Sequence, residues 1–96
     1  MLQVEDLISR EGDWTVRLIN KKAQRPEQVI FGLLLFDGRT GYWLIRFVTR
    51  KKIDVLSDRK SSFLQAKQLL LGKVQSYLDG GYKVTRVTSA YCVTPW

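Results

Sequence analysis

The sequence predicts a single α+β domain over residues 1–96, in which a small antiparallel sheet of four to five strands carries one long helix across one face. Two β-rich runs flank a short glycine-bearing turn within 29–48, which is typical of a hairpin. Apolar residues recur at helical spacing within 63–78, and alternating runs lie before the hairpin and after the helix. Strands that outnumber helices in this way are typical of a sheet with helix on one face.

The chain begins with two short elements. Apolar residues at i, i+3 and i+4 predict a short amphipathic helix over 2–9, LQVEDLIS. Clean alternation then predicts a half-buried strand over 14–20, WTVRLIN, with Trp14 on the inward face and Arg17 on the outward face. The polar segment 21–28 contains a proline, which argues against a central strand there.

The hairpin is the clearest element of the sequence. Its strands are VIFGLLLF (29–36) and YWLIRFV (42–48), and its turn is DGRTG (37–41). The first strand is apolar on both faces, so we expect it to lie centrally in the sheet or under a helix. Because successive side chains of a strand point to opposite faces, the second strand has a core face and a mixed face. The core face is Trp43, Ile45 and Phe47, and the mixed face is Tyr42, Leu44, Arg46, Val48 and Arg50.

A long amphipathic helix follows the segment 57–62, SDRKSS, which we predict to be a turn. Ser62 and Gln65 have the spacing of a capping box, and the glycines at 80–81 predict the helix end. We expect the apolar stripe of this helix to cover the core face of the hairpin. The stripe is Phe63, Ala66, Leu70, Leu71, Val74, Tyr77 and Leu78.

The last predicted strand covers 82–88, YKVTRVT. Simple alternation places Val84 and Arg86 on the same face of this strand. The remaining segment, SAYCVTPW at 89–96, extends that strand or forms another.

The charge of the chain is strongly positive and uneven. Sixteen Lys and Arg residues stand against nine Asp and Glu residues, a net charge of +7. From Trp14 onward there are fifteen cations and five acids. Such an excess attracts polyanions over about a Debye length. Solubility alone also explains a charge of this kind, and both interpretations stay open.

Several classes of function lack their usual residues. The chain has no histidine, so the commonest general base and the commonest zinc ligand are missing, and its single cysteine, Cys92, has no internal disulfide partner. We therefore expect no enzyme, no metal site and no cofactor. No apolar run reaches bilayer length and no secretory signal is present, so we expect a cytoplasmic protein. Four carboxylates fall in predicted turns or element ends: Asp37, Asp54, Asp58 and Asp79.

The favoured partner from the sequence is nucleic acid. Arginines and an aromatic side chain on one exposed sheet face are typical of single-strand binding, where bases stack and phosphates pair with cations. A second basic group precedes the long helix, where a helix N-terminus can hold phosphate, although ordinary capping explains the same residues. The candidate nucleic-acid residues are Arg17, Tyr42, Arg46, Arg50, Lys51, Lys52, Arg59 and Lys60.

The alternative partner is an acidic protein complex. Aliphatic residues among arginines are more typical of a protein interface, so Leu44 and Val48 favour this alternative, and Trp96 is a candidate anchor. The segment VQSYLDGGYKVTRV (74–87), a helix ending in Gly-Gly before a basic strand, is similar to the end of small phycobilisome linker domains. That resemblance implies a small basic assembly protein that docks on acidic light-harvesting proteins. The oligomeric state stays open.

Overall fold

The computed structural model describes residues 7–8 and 11–89, except for the side chains of Ser57 and Asp58. It confirms the α+β class, with a five-stranded antiparallel sheet and one long helix packed on it. The described elements are β1 (Trp14–Ile19), a 3₁₀ turn (Arg25–Glu27), β2 (Val29–Asp37), β3 (Tyr42–Val48), β4 (Ile53–Lys60), α1 (Phe63–Asp79) and β5 (Lys83–Thr88).

The strand order is β4-β3-β2-β1-β5, and each neighbouring pair is antiparallel. The first four strands therefore pair with their neighbours along the chain. Helix α1 then carries the chain back across one face, so that β5 pairs with β1 at the other edge. Strand β2 is central, as its apolar sequence predicts, with one apolar face under α1 and the other on the side of the sheet that α1 leaves uncovered.

The core lies between α1 and one face of the sheet, as the two periodicities predict. Phe47 and Leu70 are almost completely buried, and the ring of Phe47 lies 5.5 Å from that of Tyr77, between centroids. Gly32 of β2 allows this close packing, because a Cβ there would lie 2.8 Å from Cε1 of Phe47. The buried apolar residues are Ile8, Trp14, Val16, Leu18, Ile30, Leu34, Trp43, Ile45, Phe47, Ala66, Leu70, Leu71 and Val74.

Strand β4 was not predicted, and the prediction of a turn over 57–62 is wrong for its first four residues. The structure places 57–60 at the end of β4, paired with β3. Asp54 and Asp58 therefore lie within a strand and not in turns. The pairing contains register shifts, and charged residues alternate irregularly with apolar ones. Such a sequence is typical of an edge strand, which must resist pairing with other chains.

Two further details of the predicted elements are wrong. Ser62 is the N-cap residue of α1, but its side chain makes no capping hydrogen bond, so the capping box does not form. The pairing of β1 with β5 shifts by one residue between Arg17 and Leu18, so Val84 and Arg86 lie on opposite faces. A bulge of this kind breaks the simple alternation on which the prediction rested.

Most of what was predicted for the two ends of the chain falls outside the described residues. The short helix over 2–9 is not seen, and only Leu7 and Ile8 of that segment are described. Ile8 is completely buried in the core. Cys92 and Trp96, and any strand formed by 90–96, lie outside the described residues.

Candidate partner-binding face

The open face is the side of the sheet opposite α1. Residues that pair directly across antiparallel strands point to the same side, so the pairing assigns each side chain to a face. The open face contains Thr15, Arg17 and Ile19 of β1; Val29, Phe31, Leu33, Leu35 and Asp37 of β2; Tyr42, Leu44, Arg46 and Val48 of β3; Ile53 and Val55 of β4; and Lys83, Arg86 and Thr88 of β5.

The centre of the open face is apolar. Leu35 and Leu44 pair across β2 and β3 and are half-buried. The apolar surface continues to the edge strand β4, where Ile53 is 62% exposed and Val55 is 56% exposed. An exposed apolar surface of this kind marks an interaction site more often than single scattered residues do. Leu44 and Val48, the aliphatic candidates from the sequence, both belong to it.

Arg46 lies within this apolar surface, between Leu33 of β2 and Val55 of β4. The side chain is half-buried, and its Nε atom is buried without a hydrogen bond to any described residue. A buried donor that lacks an acceptor destabilises the folded chain by about 1–3 kcal/mol. An acceptor brought by a partner, such as a carboxylate, would remove that cost.

Arg17 and Arg86 form a second cationic feature of the open face. They stand directly opposite one another on β1 and β5, with Arg17 half-buried and Arg86 exposed. Like charges in this arrangement repel each other, so the pair is a natural place for an anion. The sequence could not reveal this pair, because the bulge that brings Arg86 to this face leaves no mark on the alternation.

The cluster Arg50–Lys52 lies in the turn between β3 and β4, so the prediction that Arg50 belongs to the mixed face of the strand is wrong. Thr49 holds this turn: its Oγ1 atom accepts hydrogen bonds from the backbone N–H groups of Lys51 and Lys52, both at 3.2 Å. Arg50 also lines a small pocket of about 140 Å³ together with Arg25, a residue that the sequence did not single out. Two guanidinium groups at one pocket favour a carboxylate or a phosphate there.

One acidic contact reduces the charge of this turn only slightly. Nζ of Lys52 lies 3.6 Å from a carboxylate oxygen of Asp54. Both side chains are about half exposed, at 58% and 47%, so the ion pair contributes little to stability. The turn therefore keeps most of its attraction for anions.

Tyr42 and Asp37 face each other at the opposite end of the hairpin. Tyr42 is 40% exposed. The backbone N–H of Arg39 donates to the Asp37 carboxylate at 3.0 Å and holds the pKa of that carboxyl below its usual value. The Asp37 carboxylate therefore places a stable negative charge beside the Tyr42 ring, four residues along β3 from Arg46. This charge disfavours binding of a phosphate next to Tyr42.

The remaining candidates lie at the end of β4. Lys60 pairs with Trp43, on the side of the sheet that α1 covers, and Arg59 is exposed at a register shift that assigns it to neither face. Both residues belong to β4, which ends three residues before α1, and the basic seat at the first turn of α1 stays a prediction. The structure therefore brings together Arg17, Arg46, Leu44 and Val48, and adds Arg86, Phe31, Ile53 and Val55 to them.

Comparison with known protein families, curated proteins and solved structures finds no match for this chain. The resemblance of 74–87 to phycobilisome linker domains therefore stays a prediction. Within residues 7–8 and 11–89, no group of three or more potential acidic, thiol or imidazole ligands could hold a metal ion. In the same part of the chain, no helix has the length and apolar character needed to cross a membrane.

Proposed function

We propose that this chain is a non-catalytic docking module that binds an acidic protein through the open face. The observation that carries the proposal is the placement of Arg46, which pairs with Leu33 of β2 and Val55 of β4 and whose buried Nε atom has no hydrogen bond to a described residue. An apolar centre with arginines is typical of the energetically important part of protein interfaces. A groove for a phosphate backbone has more exposed cations and fewer aliphatic side chains.

The partner in this proposal has an acidic surface around an apolar centre. Its aliphatic side chains pack against Ile53, Val55 and their neighbours, and its carboxylates pair with the arginines at three places. The first is Arg46, the second is the opposed pair Arg17 and Arg86, and the third is the pocket lined by Arg25 and Arg50. Charge complementarity of this kind speeds association and fixes the orientation of the partner.

Nucleic acid is the second candidate. The opposed arginines of β1 and β5 and the basic turn Arg50–Lys52 favour it, because both can pair with phosphates. In this candidate the aromatic side chains of the open face, Phe31 and Tyr42, stack against bases. Binding would then fall steeply as salt increases, with a slope set by the number of phosphates contacted.

The experiment uses the chain as bait for proteins from its native host. The wild type is compared with a variant carrying Ile53→Asp and Val55→Asp, which removes the exposed apolar edge and adds two negative charges there. The matched control is Leu64→Asp, because Leu64 is 59% exposed on α1, away from the open face. Captured acidic proteins are identified, purified and tested for direct binding.

We expect an acidic protein to bind the wild type and the control directly, and to lose most of its affinity for the double variant. Equal affinity for all three chains would contradict docking through the open face. In parallel, fluorescence anisotropy with labelled single-stranded and duplex DNA and RNA, at low and moderate salt, tests the second candidate. Tight nucleic-acid binding without any direct protein partner would replace the proposal by that candidate.

A further inference from the structure

A second cationic site lies at the end of the sheet where β1 ends and β5 begins. The connection from α1 to β5 and the segment after β1 line the two sides of an open cleft of about 650 Å³. Two of its lining residues, Ile19 and Lys83, lie at the margin of the open face, and the others lie beyond it. The lining residues are Ile19, Asn20, Lys21, Lys22, Gly80, Gly81, Lys83 and Thr85.

Among the residues that the structure describes, the lining is rich in cations and contains no carboxylate. Lys21, Lys22 and Lys83 are all exposed, so their ammonium groups can turn toward a ligand in the cleft. The side-chain oxygen of Asn20 accepts a hydrogen bond from the backbone N–H of Lys22 at 3.0 Å. The amide nitrogen of Asn20 is therefore the group left to donate, and it lies beside Gly81. Such a donor set is typical of sites for multiply charged anions.

Two backbone features shape the cleft. Gly81 has a φ of +102°, a conformation that side-chain-bearing residues rarely adopt, and a Cβ there would lie 3.4 Å from the Asn20 amide nitrogen. On the other side, Thr85 is the extra residue of the bulge in β5, and its hydroxyl donates to the backbone oxygen of Arg17 at 3.4 Å. The turn and the bulge together leave room where a regular strand pair would be closed.

The nearby C-terminus of α1 is the negative end of the helix dipole and opposes anion binding, but it carries only about half a unit of charge against three lysine ammonium groups. Three carbonyls of the last turn are also occupied, because the backbone N–H groups of Gly80, Gly81 and Tyr82 donate to the carbonyls of Ser76, Leu78 and Tyr77. The carboxylate of Asp79 accepts a hydrogen bond from Gln75 at 3.0 Å and does not line the cleft.

We infer that this cleft binds a small polyphosphate, such as inorganic tripolyphosphate or the triphosphate of a nucleotide. Three exposed ammonium groups in one lining match the several negative charges of a phosphate chain better than they match the single charge of one carboxylate. The volume lies within the range of about 300–1,000 Å³ that is typical of small-molecule sites. The inference does not depend on the proposed docking function, since the apolar centre of the open face takes no part in it.

The test is a ¹⁵N NMR and calorimetric titration of the full chain with tripolyphosphate, then with ATP, at low and moderate salt. We expect saturable binding, with the largest shift changes at Asn20–Lys22 and Gly80–Thr85. The double variant Lys22→Gln/Lys83→Gln should weaken binding by about tenfold or more, because it removes two charge-assisted hydrogen bonds. Circular dichroism of both chains verifies the fold.

The matched control is Lys67→Gln/Lys73→Gln, which removes the same charge from α1, where neither lysine lines the cleft. We expect its affinity to stay within about twofold of wild type, since contacts and not net charge determine binding. Equal losses in both double variants would overturn the inference, as would shift changes spread over all cations. Binding of single-stranded RNA in the cleft without binding of either polyphosphate would also overturn it, in favour of a nucleic-acid strand.

Discussion

Replacing Arg46 by methionine tests whether this arginine is present for a partner and not for the fold. Methionine keeps an unbranched apolar side chain among Leu33, Val55 and their neighbours, and it removes the guanidinium. If the guanidinium is held for an external acceptor, the isolated chain should fold at least as well without it. Affinity for an acidic partner should fall at the same time.

The expected size of the effect follows from the buried Nε atom of Arg46. An unsatisfied buried donor costs about 1–3 kcal/mol. Exchanging buried charges for apolar side chains of similar size is often neutral or stabilising by about 1–4 kcal/mol. Because Arg46 is only half-buried, we take the lower part of these ranges, about 1 kcal/mol. For a domain of this size, that raises the melting temperature by about 4–8 °C.

The assay is thermal and urea unfolding of the wild type, Arg46→Met and Arg86→Met, followed by circular dichroism. Arg86 is the control because it lies on the same face but is exposed, so its substitution should change stability by less than about 0.5 kcal/mol. A loss of more than about 1 kcal/mol in Arg46→Met would refute the reasoning, since the guanidinium would then stabilise the fold itself.

Two further predictions concern the core and the alkaline range. Gly32→Ala should destabilise the fold by about 1–2 kcal/mol in urea unfolding, because overlap with the buried Phe47 ring outweighs the entropic gain. Gly72→Ala, with nothing within 4 Å of the new Cβ, should stabilise it by about 0.5–1 kcal/mol, and the opposite order would contradict the packing described. Burial and, to a smaller extent, the negative charge of Glu27 raise the pKa of Tyr82 above its ordinary value of 10.0. The Tyr82 hydroxyl also donates a hydrogen bond to the backbone carbonyl of Glu27 at 2.6 Å. The folded chain therefore binds the Tyr82 proton more tightly than the unfolded chain does. Tyr82 lowers the free energy of unfolding only as pH rises above about 10, where the unfolded chain loses this proton first. Urea unfolding at about pH 8 and pH 10.5 measures this decrease in the free energy of unfolding, and Tyr82→Phe should make the decrease smaller. An equal decrease in the wild type and the variant would show that other groups cause it.

The fold was largely predictable because its main elements have long, regular patterns. The hairpin strands and α1 carry enough apolar residues at period two or 3.6 to identify both their type and their core faces. Strand β4 was missed because it is an edge strand, with charged residues on both sides and register shifts where it pairs with β3. Its apolar residues Ile53 and Val55 alternate with Asp54 over only three residues, which is too short a pattern to predict a strand.

The candidate site was predictable only in part. Arg46, Leu44 and Val48 were assigned to one face because they share a single regular strand. The position of Arg86 depends on a bulge, and that of Arg25 beside Arg50 depends on how a connection folds back, so neither follows from local sequence. The cleft beside Lys83 likewise requires two segments that lie far apart in the chain.

The most direct test of docking through the open face is the effect of Val55→Lys on affinity for the purified acidic partner and for RNA. Val55 is exposed at the sheet edge and pairs with Arg46, so lysine there removes an apolar contact and adds a positive charge. Leu64→Lys on α1 adds the same charge elsewhere and serves as control. We predict weaker binding of the acidic protein by Val55→Lys than by the control. Unchanged protein affinity together with tighter RNA binding would contradict the proposal and assign the open face to nucleic acid.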